Sequence, residues 1–296
     1  MNRRATHTVV ITGGTGGIGY QSALGLAKTG AHVVITGRDK ARGEEARRRI
    51  AAESGNDNVT LVLGDISSIA GVDALAGAVM DEVELIDVLV NNAGYLGSEL
   101  AKSDDGLEMH FAVNVLSPRR LTRALLPALT AASAPRVLNI TGGDKPARID
   151  PDNLQAEKGF KGLMTYTHSK SAMEAMSLAL AAELEPTGVS VNLVFPGRAS
   201  TVMTRSLSTK SLPGPMKLMY PLFRLMFAED DGKSAAKAAK STIWAATSPD
   251  LEGVTGRYFD THTKERPLHP SAYEPDVQAR ILATIEEASQ STTAGA

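Results

Sequence analysis

The 296-residue chain contains no cysteine, which excludes disulfide bonds, thiolate nucleophiles and cysteine-bound metals. Its six histidines are scattered, with no two at the spacing of metal ligands on one helix, so we expect no metal site. An excess of charge of one sign is also absent. The formal net charge is −2, which gives no general attraction for nucleic acid or for an anionic membrane.

The chain also has no long apolar run before its first predicted strand. The few residues that precede His7 leave no room for a signal peptide or a spanning helix, so we expect a cytoplasmic protein. Apolar residues make up 43% of the sequence, enough for a large buried core.

Short apolar runs alternate with helical stretches over the first two hundred residues. Strands are predicted at His7–Thr12, His32–Thr36, Val59–Leu63, Ile86–Val90, Arg136–Thr141 and Val189–Phe195. Helices are predicted at Gly17–Lys28, Asp39–Glu53, Ser68–Glu82, Leu107–Ala131 and Met164–Glu185. This alternation predicts an α/β protein with a single Rossmann-type, doubly wound parallel sheet and helices on both faces.

No linker or repeat divides the chain, so one domain is predicted over 1–287, followed by a small, polar, disordered tail at 288–296. Residues 206–229 are rich in Met, Leu and Phe and are interrupted by three prolines. We interpret this segment as a lid over an apolar substrate, with a membrane-docking patch or ordinary core packing as alternatives.

A glycine-rich turn follows the first predicted strand and begins a helix. Glycines let the backbone approach a pyrophosphate, whose charge is favoured at a helix N-terminus. The turn therefore predicts a dinucleotide site, which includes Gly13, Thr15, Gly17, Ile18 and Gly19.

Cofactor preference is expected to depend on the end of the second strand. An NAD site would place a carboxylate there, whereas this chain has Gly37 followed by Arg38. A guanidinium suits the 2′-phosphate of NADP(H), which we predict to be preferred over NAD(H). Asp39 has a competing role as a helix N-cap, and the arginine-rich run from Arg42 to Arg49 is interpreted as a solvated helix face.

Tyr166 and Lys170 lie four residues apart, on one face of a predicted helix. A cation beside a tyrosine favours the phenolate and lowers the pKa of the phenol towards the range of an acid–base catalyst. Behind a nucleotide-binding turn, the pair predicts hydride chemistry.

Taken together, four ordered motifs make the chain resemble the short-chain dehydrogenase/reductase family, and within it the retinol-dehydrogenase-like branch. These are the glycine turn at 12–19, Asn-Asn-Ala-Gly at 91–94, the Tyr166/Lys170 pair, and Pro196-Gly197 with Thr201. The branch is indicated by the segment 105–115, the insertion around Asn153 and the segment 248–259. Members of that branch often carry an N-terminal membrane anchor, which we do not expect here, since the first predicted strand begins at His7.

The resemblance implies a role for each matching residue. Tyr166 would be the general acid, Lys170 would hold the nicotinamide ribose and lower the pKa of the tyrosine, and Asn114 would hold a relay water at a helix break. The implied cofactor contacts are Asp65 and Ile66, Asn92 with Ala93 and Gly94, Pro196 and Gly197, and Thr201, together with Tyr166 and Lys170.

The chain departs from the family where the fifth strand ends. Members usually place there a serine that binds the substrate oxygen, whereas this chain reads Ile140-Thr141-Gly142. One alignment puts Gly142 at that position and another puts Thr141 there. We favour Thr141 as the substitute and count it among the catalytic residues.

The leading hypothesis is an NADPH-dependent reductase of an apolar ketone, aldehyde or quinone. The alternatives are an alcohol dehydrogenase, a non-catalytic NADP(H)-binding sensor and a peripheral membrane protein. A small apolar carbonyl or alcohol is the expected partner. Nucleic acid and membrane are not expected partners. By resemblance, a homodimer or homotetramer would form through the helices at 107–131 and 164–185.

Overall fold

The computed structural model describes residues 7–142, 147–205, 208–209, 212, 218, 220–226, 228, 230 and 232–294. The strands are β1 (Thr8–Ile11), β2 (His32–Gly37), β3 (Val59–Leu63), β4 (Val88–Asn91), β5 (Arg136–Ile140), β6 (Ser190–Val194) and β7 (Tyr258–Phe259). The helices in the first half of the chain are α1 (Gly17–Ala27), α2 (Lys40–Ser54), α3 (Ile69–Glu82), α4 (Met109–Phe111), a π-helical turn (Ala112–Leu116), α5 (Ser117–Ala124) and α6 (Leu126–Thr130). Those in the second half are α7 (Gly162–Leu184), α8 (Val202–Arg205), α9 (Tyr220–Met226), α10 (Lys233–Thr247) and α11 (Pro275–Ala294).

The sheet has the order β3-β2-β1-β4-β5-β6-β7, and every pairing is parallel. Because the order reverses between β1 and β4, the chain forms the doubly wound sheet that the sequence predicts, and the fold class is confirmed. β7 was not predicted, since two residues are too few for a periodic signal.

Two apolar layers cover the sheet, because neighbouring residues of a strand face opposite sides. Val10 packs into a layer with helices α3, α5, α7 and α11, whereas Val9 and Ile11 pack into the layer with α1, α2 and α10. The carboxyl ends of the strands therefore meet at one edge, where the predicted site residues gather.

Local capping chemistry sets several helix boundaries. The Asp39 carboxylate accepts a hydrogen bond from the Arg42 amide at the start of α2, and Gly55 ends that helix in the left-handed region. Ser68 caps α3 in the same way.

The predicted helix at 107–131 is divided into shorter pieces. The Ser117 amide donates to the Ala112 carbonyl, which widens the helix into a π-helical turn around Asn114. A second break comes at Leu125, shortly before Pro127.

Two expectations fall at the C-terminal part of the chain. The segment 206–229, predicted as a lid, lies largely outside the described residues, and within it Leu222 and Leu225 of α9 are exposed. The residues at 288–294, expected to be disordered, continue α11 instead, because Ala288 is buried against the core.

Candidate active site

Residues just after β4 hold the glycine turn that follows β1 through hydrogen bonds and close packing. Gly13 has a φ of +66°, and a Cβ there would lie 3.1 Å from the Ala93 Cα, so a side chain would strain the backbone and crowd Ala93. The Asn92 side-chain amide, predicted at the adenosine end, donates to the Thr12 carbonyl at 2.9 Å. The Thr12 hydroxyl accepts from the Asn92 and Ala93 amides. The motifs at 12–19 and 91–94 therefore form one unit.

The glycines of this turn carry no side chains, and the turn leads directly into α1. Gly17 has a φ of +55°, and a Cβ on Gly19 would collide with the Asn92 amide and the Gly13 carbonyl. Thr15 contacts Gly37 at the end of β2, and Ile18 packs on a small cluster with Ala199 and Ala235. A closely approachable turn at a helix N-terminus fits a dinucleotide pyrophosphate.

Two arginines border the turn on the side of β2. Arg38 is exposed where the strand ends, and the Arg42 guanidinium lies over Gly16, with its Nε donating to the Thr15 carbonyl at 3.4 Å. Arg42 was set aside with the run 42–49, yet it is the member of that run that reaches the cofactor turn. The other arginines of the run pair along α2 and onto its neighbours: Arg47 with Glu44, Arg48 with Glu45, and Arg49 with Glu53.

The remaining predicted cofactor contacts lie around the same cleft. Asp65 is exposed after β3, and the Ile66 carbonyl accepts from the Ser117 hydroxyl. Gly197 has a φ of +87°, and the Thr201 methyl lies 3.0 Å from where a Cβ on Gly17 would be. The segment after β6, which begins at the buried Pro196, therefore returns to the glycine turn.

Tyr166 and Lys170 lie on the face of α7 that packs against the sheet edge. The Lys170 ammonium donates to the Ile140 carbonyl at 3.0 Å and lies 3.5 Å from where a Cβ on Gly94 would be. Burial lowers the pKa of Lys170 to about 8 and raises the pKa of Tyr166 to about 12. The pKa of the tyrosine is raised in the structure, because desolvation of the phenol is the dominant influence on it.

Asn114 is fully buried in the π-helical turn and connects this pair to the loop after β4. Its amide nitrogen donates to the Ser169 hydroxyl at 2.9 Å and to the Tyr95 carbonyl at 3.1 Å, while its oxygen accepts from the Tyr95 amide. The predicted helix break at Asn114 therefore exists, and the residue lies beside the segment that carries Lys170.

Comparison with known proteins identifies the family of the chain. Residues 7–212 match the family model described as short chain dehydrogenase. The chain belongs to this family. Human retinol dehydrogenase 14 is 35% identical over 95% of the chain and 85% of its own length, and mouse polyprenol dehydrogenase is 32% identical over 93% and 81%. These likenesses confirm the predicted retinol-dehydrogenase-like branch.

The solved structure of a complex of RhlG with NADP from Pseudomonas aeruginosa has a similar fold. It is 29% identical, with a TM-score of 0.63, and the alignment covers 87% of this chain and 95% of that one. Family membership and fold together make the chain an NAD(P)-dependent oxidoreductase that acts on alcohol or carbonyl groups.

In this short-chain dehydrogenase, Gly142 and not Thr141 is the residue whose side chain would face Tyr166. A Cβ on Gly142 would be 2.5 Å from the Tyr166 phenol oxygen. The Thr141 hydroxyl is buried and donates to Oε1 of Glu174 at 2.6 Å. The expectation that Thr141 replaces the serine is therefore corrected: its donor is directed into the core.

Glu174 itself was missed by the sequence analysis. It is 3% exposed and lies one helical turn beyond Lys170 on α7. Burial raises the pKa of this carboxyl to about 7. The spacing Tyr166, Lys170, Glu174 repeats every four residues, which is the signal that could have revealed it.

His110 is the centre of a group of aromatic rings that includes Tyr166. His110 lies with its ring centroid 5.0 Å from that of Tyr95, 5.7 Å from that of Phe160 and 6.3 Å from that of Tyr166. His110 is fixed by Glu108 at Nδ1 and by the Gly97 amide at Nε2. No spacing rule links these residues, so sequence reasoning had no signal for them.

Within the described ranges, no helix is both long enough and apolar enough to cross a bilayer.

Proposed function

We propose that the chain is an NADPH-dependent reductase that transfers hydride to the carbonyl carbon of an apolar ketone, aldehyde or quinone. Tyr166 gives the proton to the carbonyl oxygen. The observation that carries the proposal is the convergence of the Tyr166 hydroxyl, the Lys170 ammonium and the buried Asn114 beside the glycine turn.

The protonation state of the tyrosine supports the reductive direction. With a pKa of about 12, Tyr166 is protonated near neutral pH and is ready to donate, whereas alcohol oxidation needs the phenolate as base. Lys170 stabilises the negative charge that forms on the phenol oxygen during donation. NADPH, when bound, supplies the hydride. The alcohol dehydrogenase direction remains the second candidate, because the reaction is reversible.

The preference for NADPH rests on the two arginines beside the turn. Arg38 and Arg42 are arranged to receive a 2′-phosphate with charge-assisted hydrogen bonds, and no carboxylate takes the NAD-specific position. The remaining contacts proposed from the family are Asp65 and Ile66 at the adenine and Thr201 at the nicotinamide carboxamide.

An apolar substrate is favoured by the aromatic group that joins Tyr166 to His110 and Phe160, and by the relatives named for retinol and polyprenol. Glycine at 142 leaves Tyr166 as the proposed donor to the substrate oxygen. Loss of one such donor typically costs on the order of 10²–10³ in rate, so we expect a slow enzyme.

The deciding experiment measures NADPH consumption with a pooled set of apolar ketones, aldehydes and quinones. Tyr166→Phe is expected to lower kcat by about 10²–10⁴, because the proton donor is lost. The matched control is Tyr273→Phe, which removes the same atom from a residue that is 52% exposed. Binding of NADPH without turnover by the wild-type protein would favour the non-catalytic sensor instead.

We also propose a cytoplasmic location and assembly into a homodimer or homotetramer through α5 and α7. Ala172, Ala175 and Ala181 do not serve that contact, since they are buried in the chain's own core. Sedimentation of the purified protein tests the assembly. Binding to lipid vesicles would point to the peripheral membrane alternative.

A further inference from the structure

A buried carboxylate lies beneath the catalytic pair, and no role has yet been given to it. Glu174 accepts from Thr141 through Oε1, while its Oε2 has no hydrogen-bond partner among the described residues. Burying a carboxylate that has no hydrogen-bond partner on one oxygen lowers the stability of the fold, whereas an apolar side chain at position 174 would avoid that loss.

The neighbouring charges show which group the carboxylate acts on. The Lys170 ammonium, one turn away on α7, is attracted by the Glu174 carboxylate, which raises the lysine pKa against the lowering by burial. The pKa of the Tyr258 phenol on β7 is raised, mainly by burial and secondly by the charges of Glu174 and Asp260. Thr141, at the end of β5, is the hydrogen-bond donor, and its bond lowers the pKa of Glu174.

We propose that Glu174 is a positioning residue whose ionised carboxylate keeps the buried Lys170 in its charged form. The proposal rests on the reductase function above. Once Glu174 is ionised, the ammonium persists to higher pH, and it is this charge that stabilises the phenolate left when Tyr166 has donated its proton. Glu174 does not touch the substrate, and acts through Lys170.

The test compares the pH–rate profiles of wild type and Glu174→Gln between about pH 5.5 and 9. At the acidic end the wild-type carboxyl is protonated and resembles glutamine, so the two kcat values should agree. As the pH rises, the variant should lose the Lys170 charge at lower pH than the wild type, so its kcat should fall first and be about tenfold lower near pH 8 while KM stays equal. A ratio of kcat values that is constant across pH would overturn the proposal.

Two further variants separate this role from a structural one. Glu185→Gln makes the same change at an exposed position just beyond the end of α7 and should leave the profile unaltered. Thr141→Val removes the donor and raises the pKa of Glu174, so its loss of kcat should centre near neutral pH and recover at higher pH. An equal loss at every pH would instead assign the Thr141 hydroxyl to the substrate and contradict the proposal.

A melting experiment tests the coupling of Glu174 to Lys170 without turnover. The folded-state pKa of Glu174 is raised, so its ionisation costs stability as pH rises from about 4.5 to 7, and Glu174→Gln should melt higher above that range. In a Lys170→Met background the gain should be larger by about 2–4 °C, since the compensating ammonium is gone. Equal gains in both backgrounds would refute the coupling. Absence of wild-type turnover would count against the reductase function alone.

Discussion

The Tyr166 hydroxyl occupies the space that a side chain at position 142 would need. Glycine lets the phenol lie where a Cβ would be 2.5 Å from its oxygen. A serine at 142 would therefore bring a carbon that the Tyr166 hydroxyl, in its present position, would have to move away from. The absence of the family's serine and the position of the tyrosine are two aspects of one local arrangement.

We expect Gly142→Ala to lower kcat by about 10–100-fold, because the added carbon pushes the phenol out of line with the substrate. The Kd for NADPH should change by less than about twofold, since the glycine turn is untouched. Gly77→Ala is the matched control: it lies in α3, and a Cβ there meets no atom within 4 Å. An unchanged kcat in Gly142→Ala would mean that the tyrosine is placed differently during catalysis.

At the scale of the element, α2 serves two purposes with one type of side chain. Its first turn, capped by Asp39, brings Arg42 over the glycine turn, whereas Arg48 pairs with Glu45 on the exposed face. Helix geometry explains the difference, since side chains six residues apart on an α-helix point about 120° away from each other. The charge run is therefore not a uniform solvated face.

Arg42→Gln should raise the Kd for NADPH by about tenfold and leave the Kd for NADH unchanged, because a charge-assisted hydrogen bond to the 2′-phosphate is lost. Arg48→Gln, with the same chemical change on the same helix, should affect neither. Fluorescence titration with both cofactors measures this. Equal weakening of NADPH and NADH binding would place Arg42 at the pyrophosphate instead.

On the scale of the whole molecule, the last helix joins distant parts of the chain. Ala288 and Ile285 of α11 belong to the core layer that contains α3, α5 and α7, and the Arg120 guanidinium donates to the Ser289 hydroxyl. The C-terminal residues thus cover the side of the sheet opposite α1 and α2.

Deleting residues 288–296 should lower the melting temperature by about 2–4 °C, because a buried alanine and the last turns of α11 are lost. Deleting only 295–296 provides the control and should change nothing. If both truncated proteins have the melting temperature of the full chain, residues 288–296 contribute nothing to stability, as their composition alone had indicated.

The sequence by itself determined the doubly wound sheet, the glycine turn and the tyrosine–lysine pair, since apolar periodicity and short-range spacing are local properties that fold with few alternatives. It also located Asn114 at a helix break. The remainder depended on contacts between residues far apart in the chain. Only the tertiary structure decided between Thr141 and Gly142, because that choice depends on where a hydroxyl points. Packing likewise decided the place of Arg42, which no spacing rule connects to the glycine turn. Glu174 continues the four-residue spacing of Tyr166 and Lys170, but only the tertiary structure shows that it is buried against Thr141.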